Sequence, residues 1–72
     1  MMNNINYNKL FKLLIDKGWK KTDLGKKAGI SPNTLAKLSK NEYVSMDVLV
    51  KLAIALNCTL DDIVQITFEG KD

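Results

Sequence analysis

The residues of this 72-residue chain best suited to chemistry lie in the run Ser31-Pro32-Asn33-Thr34-Leu35-Ala36-Lys37-Leu38-Ser39-Lys40. Asn33 carries a carboxamide, which donates and accepts at once and so matches the paired donor and acceptor on the major-groove edge of adenine. Lys37, one helical turn further on, can donate to guanine O6 or N7, and Thr34 offers a hydroxyl, or a methyl against that of thymine. Every basic side chain is lysine. Lysine is a compact point charge and lacks the bidentate fork of arginine, so base reading here must lean on amides, hydroxyls and lysine.

Other chemistries are poorly supplied. Histidine is absent and Cys58 is the single cysteine, so neither an internal disulfide nor the usual zinc-ligand patterns can be assembled. Cys58 lies between Asn57 and Thr59 with no cationic neighbour in sequence, and is read as a small, part-buried apolar residue. No glycine-rich phosphate loop and no nucleophile with a plausible base is present, so neither catalysis nor a cofactor or metal is expected. Charge is unevenly spread: residues 1–40 hold nine lysines against Asp16 and Asp23, a balance of +7, whereas residues 41–72 stand at −4. Such a lopsided molecule favours a polyanionic partner. The amino terminus is polar, and the longest apolar-rich segment, Val48 to Leu56, carries Lys51 and falls far short of the ~20 residues of a membrane span. A single cytoplasmic domain over residues 1–72, without a membrane partner, is expected.

The elements that must hold the reactive residues follow from periodicity and from capping residues. Tyr7, Leu10, Phe11, Leu14 and Ile15 recur at three and four residues, which predicts a helix from Tyr7 to Lys17 with one buried stripe, capped by Asn4 or Asn6 and ended at Gly18. A second helix is predicted from Lys21 to Ala28, with Leu24 and Ala28 inward and Lys26 and Lys27 outward. Gly25 inside it costs roughly 1 kcal/mol against alanine, which implies a close helix-helix approach there. Gly29 then ends that helix, Ile30 drops inward, Ser31 caps a third helix over residues 32–40 and Pro32 fits its first position. Asn41 is placed to take the left-handed backbone after it. Ser45 caps a fourth helix with Asp47 in its first turn and Leu49, Leu52, Ala53 and Leu56 along its inner side. Thr59 and Asp62 form a capping-box pattern ahead of a last short helix. Val64, Ile66 and Phe68 alternate with Gln65, Thr67 and Glu69, the two-residue period of a strand over 64–69 with one buried face. That strand needs a partner, from this chain or from a second copy. Trp19, Tyr43 and Phe11 are expected at the core or its edge, and Leu24, Ile30, Leu35, Leu49, Leu52 and Leu56 within it.

Helix, glycine-containing turn, helix over residues 20–41 is the general form of a helix-turn-helix, whose second helix enters the major groove. Over about residues 5–65 the chain resembles the Cro/repressor-type (XRE-type) helix-turn-helix family. The likeness is carried by Trp19-Lys20-Lys21-Thr22-Asp23-Leu24-Gly25, Gly29-Ile30-Ser31, Leu35, Leu38, Lys40-Asn41, the Met46 to Ala53 helix and Leu60-Asp61-Asp62-Ile63. It implies an all-α fold, a compact four- to five-helix repressor-like domain, here with a short C-terminal β-strand. It also implies base contacts from Pro32, Asn33, Thr34 and Lys37, and phosphate contacts from Lys21, Ser31 and Lys40. The chain departs from the family at Gly25, where alanine is usual, at Ser39, where many members have glutamate, at Asn41 for a common glycine, and at Pro32, which brings no side-chain donor.

The function implied is a sequence-specific DNA-binding regulator of transcription, a repressor acting on double-stranded DNA in a prokaryotic, phage or mobile-element nucleoid. Homodimerisation is expected through Val64, Ile66 and Phe68, since two half-sites one helical turn apart multiply affinity and specificity. The alternative is an antitoxin-like or accessory protein-interaction module that docks through Tyr43, Val44 and Met46.

Overall fold

Each helix begins and ends where a particular residue meets an otherwise unsatisfied backbone group. The computed structural model describes residues 4–68. Within them α1 (Asn8–Lys17), α2 (Lys21–Ala28), α3 (Pro32–Ser39) and α4 (Met46–Leu56) precede a 3₁₀ turn, Leu60–Asp62, and are framed by β1 (Ile5–Asn6) and β2 (Gln65–Ile66). Tyr7 occupies the cap position of α1, and the first free amide is met by Asn6, whose Oδ1 accepts the Asn8 N–H at 3.1 Å. At the other end Gly18 turns left-handed at φ +71°, so that its N–H donates to Ile15 O and that of Trp19 to Leu14 O. The Asp23 carboxylate reaches back to the Lys20 N–H at 2.9 Å to start α2. Ser45 Oγ accepts the Val48 N–H to start α4, and Asn57, at φ +54°, ends it. In the 3₁₀ turn the Asp62 carboxylate accepts both the N–H and the hydroxyl of Thr59, which links the two residues as their capping-box pattern predicts.

Tyr7, Leu10 and Leu14 from the first segment meet Leu24, Ile30, Leu38, Leu52, Leu56 and Ile63 in one buried cluster. Tyr7 does more than fill space. Its hydroxyl donates to the Glu42 carbonyl at 2.6 Å and its N–H donates to Asn41 Oδ1 at 3.2 Å, so the start of α1 is tied to the loop that leaves α3. Burial raises the phenol's pKa above the ordinary value, with a smaller contribution from Tyr43.

Several positions differ from the periodicity reading. Ile15 is 78% exposed, because the buried stripe of α1 runs through Leu10 and Leu14 and Ile15 falls beyond its edge. Tyr43 is 62% exposed in the loop before α4, while Leu35 and Leu49 are half-buried against the core. The C-terminal strand is shorter than its alternation suggests. β2 pairs antiparallel with β1, Ile5 opposite Ile66 and Asn6 opposite Gln65, and the Thr67 N–H donates to Asn4 O at 2.8 Å. Ile66 and Phe68 are exposed and Val64 is half-buried, so the alternation does not mark a buried face; Glu69 lies outside the described residues. No helix among the described residues is long and apolar enough to cross a membrane.

Candidate nucleic-acid interface

The turn between α2 and α3 is set by three adjacent residues. Gly29 adopts φ +71°, a left-handed conformation that costs a side-chain-bearing residue about 1–2 kcal/mol. It redirects the chain so that the Ile30 N–H returns to Gly25 O at 2.9 Å and the Ile30 side chain enters the core. Ser31 stays extended, and its Oγ accepts the Thr34 N–H at 3.3 Å. Pro32 at the first helical position has no N–H to satisfy. The two helices touch where α2 has no side chain: a methyl group built on Gly25 would stand 2.9 Å from Leu35 Cδ1 and 3.2 Å from the Ile30 carbonyl oxygen. The approach of α3 to α2 is therefore close at Gly25, as the position of a glycine inside a helix suggested, and a side chain there needs Leu35 and the Ile30 carbonyl to shift.

Leu38 anchors the inner side of α3 and Leu35 rests at the core edge. The outer side is left to Pro32, Asn33, Ala36, Lys37 and Lys40, all exposed, and their spacings of one, three and four residues gather them on one face. The helix contains no acidic residue that would repel a phosphate. Ala36 belongs to this face by the same spacing from Asn33, and its methyl is the kind of group that meets a thymine methyl.

The expected contact residues are not equivalent in their surroundings. Asn33 and Lys37 project freely from α3. Thr34 is half-buried and its hydroxyl lies 3.1 Å from Ser31 Oγ, so these two groups are already engaged with each other. Lys40 closes α3, its own N–H shared between the carbonyls of Ala36 and Lys37. Lys21, at the start of α2, extends toward the far end of α3, where its ammonium donates to Ser39 Oγ at 3.0 Å and lies 4.9 Å above the Phe11 ring. Its charge is thereby held at the C-terminal end of α3. Ser39 and Phe11 as holders of Lys21 were not visible in the sequence, since the pairing spans eighteen residues between exposed groups. A second cation-aromatic group lies nearby, with Lys27 at 5.0 Å and Lys17 at 5.7 Å from the Trp19 ring centre. Among the described residues no group of three His, Cys, Asp or Glu side chains is placed to hold a metal ion.

This arrangement agrees with the comparisons. A family model described as the Cro/C1-type HTH DNA-binding domain matches residues 9–69. Among solved structures, that of the transcriptional regulator VanUg is 44% identical, with 96% of this chain and 93% of that one covered and a TM-score of 0.87. No curated protein matches the chain. From the extent of the family match and the helix-turn-helix geometry built around Gly29, the chain belongs to the Cro/C1-type helix-turn-helix DNA-binding family.

Proposed function

We propose that this protein is a sequence-specific transcriptional regulator, a repressor that binds double-stranded DNA as a homodimer and lays α3 in the major groove. The observation that carries this is the outer face of α3: Asn33 and Lys37 stand free on it, without an acidic neighbour on the helix, at the end of a turn that forces the helix outward. Asn33 reads an adenine edge and Lys37 a guanine edge, while Pro32, Thr34 and Ala36 make apolar or hydroxyl contacts with the bases around them. Lys21, Lys40 and Ser31 meet phosphates on either side, which fixes register without reading sequence. The similarity to a transcriptional regulator over almost the whole chain supports regulation as the output, and a DNA-bound regulator of this class resides in the cytoplasm.

Selection from a random DNA pool, followed by binding of the selected site across salt concentrations, tests the proposal. Asn33→Ala relaxes preference at one base pair, whereas Lys21→Ala weakens all sequences alike and lowers the salt slope by about one. If the pool yields no preferred sequence, or both variants keep wild-type affinity and preference, the docking scheme is wrong. A second reading has one observation behind it. Tyr43, in the loop before α4, and Met46, at the first position of α4, are both exposed, as a protein-docking module would have them. A mobility-shift series across salt separates the two readings, because a DNA reader keeps a preferred sequence when non-specific binding is competed away and a protein-docking module does not.

A further inference from the structure

The apolar surface that the fold leaves uncovered is concentrated away from α3. Along α4, Met46, Val50 and Ile54 recur every fourth residue, and they are 61%, 43% and 75% exposed. Two grooves flank this stripe. One, of about 440 Å³, runs from Val50 and Ile54 to Cys58 and Leu60, and the other, of about 420 Å³, from Met46 and Leu49 to Leu60, Val64 and Ile66. Leu60 lines both, so the stripe and grooves form one continuous surface from Ile54 to Ile66. Met46, Val50, Ile54, Leu60 and Ile66 leave on the order of 500 Å² of apolar area in water, the upper end of the roughly 300–600 Å² largest patch of a typical monomer.

The charges beside this surface balance in number. Lys51 pairs with Asp47 at 3.2 Å on α4, and the second groove is lined by one cation, Lys9, whose ammonium donates to the backbone carbonyl of Asp61, and one anion, the Asp61 carboxylate. A neutral apolar face offers nothing to nucleic acid and raises no like-charge repulsion against a copy of itself. Its area exceeds half of the about 800 Å² that each partner buries in a standard interface.

We infer that this face is where a second copy of the chain docks, with the two α4 helices antiparallel about a two-fold axis at Val50. A two-fold through Val50 sets Met46 of one copy against Ile54 of the other, twice. This replaces pairing through the C-terminal strand, one edge of which is already taken by β1. The need for a second copy rests on the DNA-binding reading above; the surface itself is tested without DNA.

Sedimentation equilibrium of the full chain gives a dimer. Met46→Glu and Ile54→Lys are each monomeric at the same concentrations, with unchanged circular dichroism because both side chains are exposed. Mixed together, they recover a dimer, since one Glu–Lys pair and one native Met–Ile contact then face each other. A wild-type chain that is monomeric at high micromolar concentration, an Ile54→Lys chain that still dimerises, or a mixture that stays monomeric overturns the inference. With DNA, Ile54→Lys keeps wild-type affinity for an isolated half-site and loses tenfold or more on the full site. A wild-type dimer that binds no DNA would sink the function proposed above and leave the interface standing.

Discussion

Replacing Gly25 by alanine sets two effects of similar size against each other. In an isolated helix the change stabilises by roughly 1 kcal/mol, since alanine loses less backbone freedom on folding. Here the added methyl would lie 2.9 Å from Leu35 Cδ1 and 3.2 Å from the Ile30 carbonyl oxygen. The Leu35 methyl ends a flexible side chain at the core edge and can rotate, but the Ile30 carbonyl is backbone, held in place by the Gly29 turn and the Ile30 N–H to Gly25 O bond. Overpacking of this kind costs about 1–3 kcal/mol. The net expectation is a loss of about 1 kcal/mol, a fall in melting temperature of roughly 4–8 °C for a domain of this size. Urea unfolding at unchanged m-value reads it directly. The origin is separable by a double-mutant cycle: Leu35→Ala removes the 2.9 Å contact but leaves the Ile30 carbonyl, so most of the Gly25→Ala loss persists in that background, with a coupling below about 0.5 kcal/mol. A Gly25→Ala change that is neutral in the Leu35→Ala background would refute the claim that the fixed Ile30 carbonyl sets the tightness of this approach.

Three further outcomes follow from single contacts. Tyr7→Phe leaves the Glu42 carbonyl without its donor and destabilises by about 1–2 kcal/mol in denaturant unfolding. Because the folded-state pKa of Tyr7 lies above the ordinary 10.0, its contribution is intact below about pH 10 and lost as pH climbs through the folded value. Alkaline titration of stability is accordingly flatter for Tyr7→Phe, and equal slopes would contradict the assignment. Ser39→Glu places a carboxylate beside the Lys21 ammonium; as a surface pair it changes stability by less than about 1 kcal/mol, yet it lowers the magnitude of the salt slope of DNA binding by about one phosphate contact. An unchanged slope would show that Lys21 does not meet DNA. Cys58 has its thiol pKa raised by burial and by Asp62, only partly opposed by Lys17, so iodoacetamide labels it more slowly at neutral pH than after unfolding in urea. Equal rates would count against this.

What the sequence reveals here divides by range of interaction. Gly29, Ser31 and Pro32 each do one local thing, a left-handed residue, a cap and a donor-free first position, and all three are found as their chemistry predicts. Asn41 and Gly18 are likewise left-handed where a helix must stop. Ile15 shows the boundary of such reasoning: its spacing from Phe11 and Leu14 qualifies it for the stripe, but whether an edge position is covered depends on which element lies across from it. The terminal strand shows the same in another form. Alternation near Ile66 marks extended chain correctly, whereas its partner, Ile5–Asn6, is two residues long and too short to carry a period. On the interface, Asn33 and Lys37 are legible from side-chain chemistry alone. The Lys21–Ser39 contact and the Tyr7–Glu42 bond are not, since each joins segments far apart in sequence whose meeting only the folded chain decides.

The pairing of β1 with β2 offers a way to re-engineer the chain. Ile5 and Ile66 sit opposite each other, a strand spacing of about 5 Å apart. A short peptide bridge would therefore close the backbone into a ring without bending any helix. Cyclisation removes freedom from the denatured ensemble, and its benefit grows with the length of the loop closed. New ends opened between Tyr43 and Ser45, past the Asn41 and Glu42 groups that hold Tyr7, would then give a circular permutant with the same buried cluster.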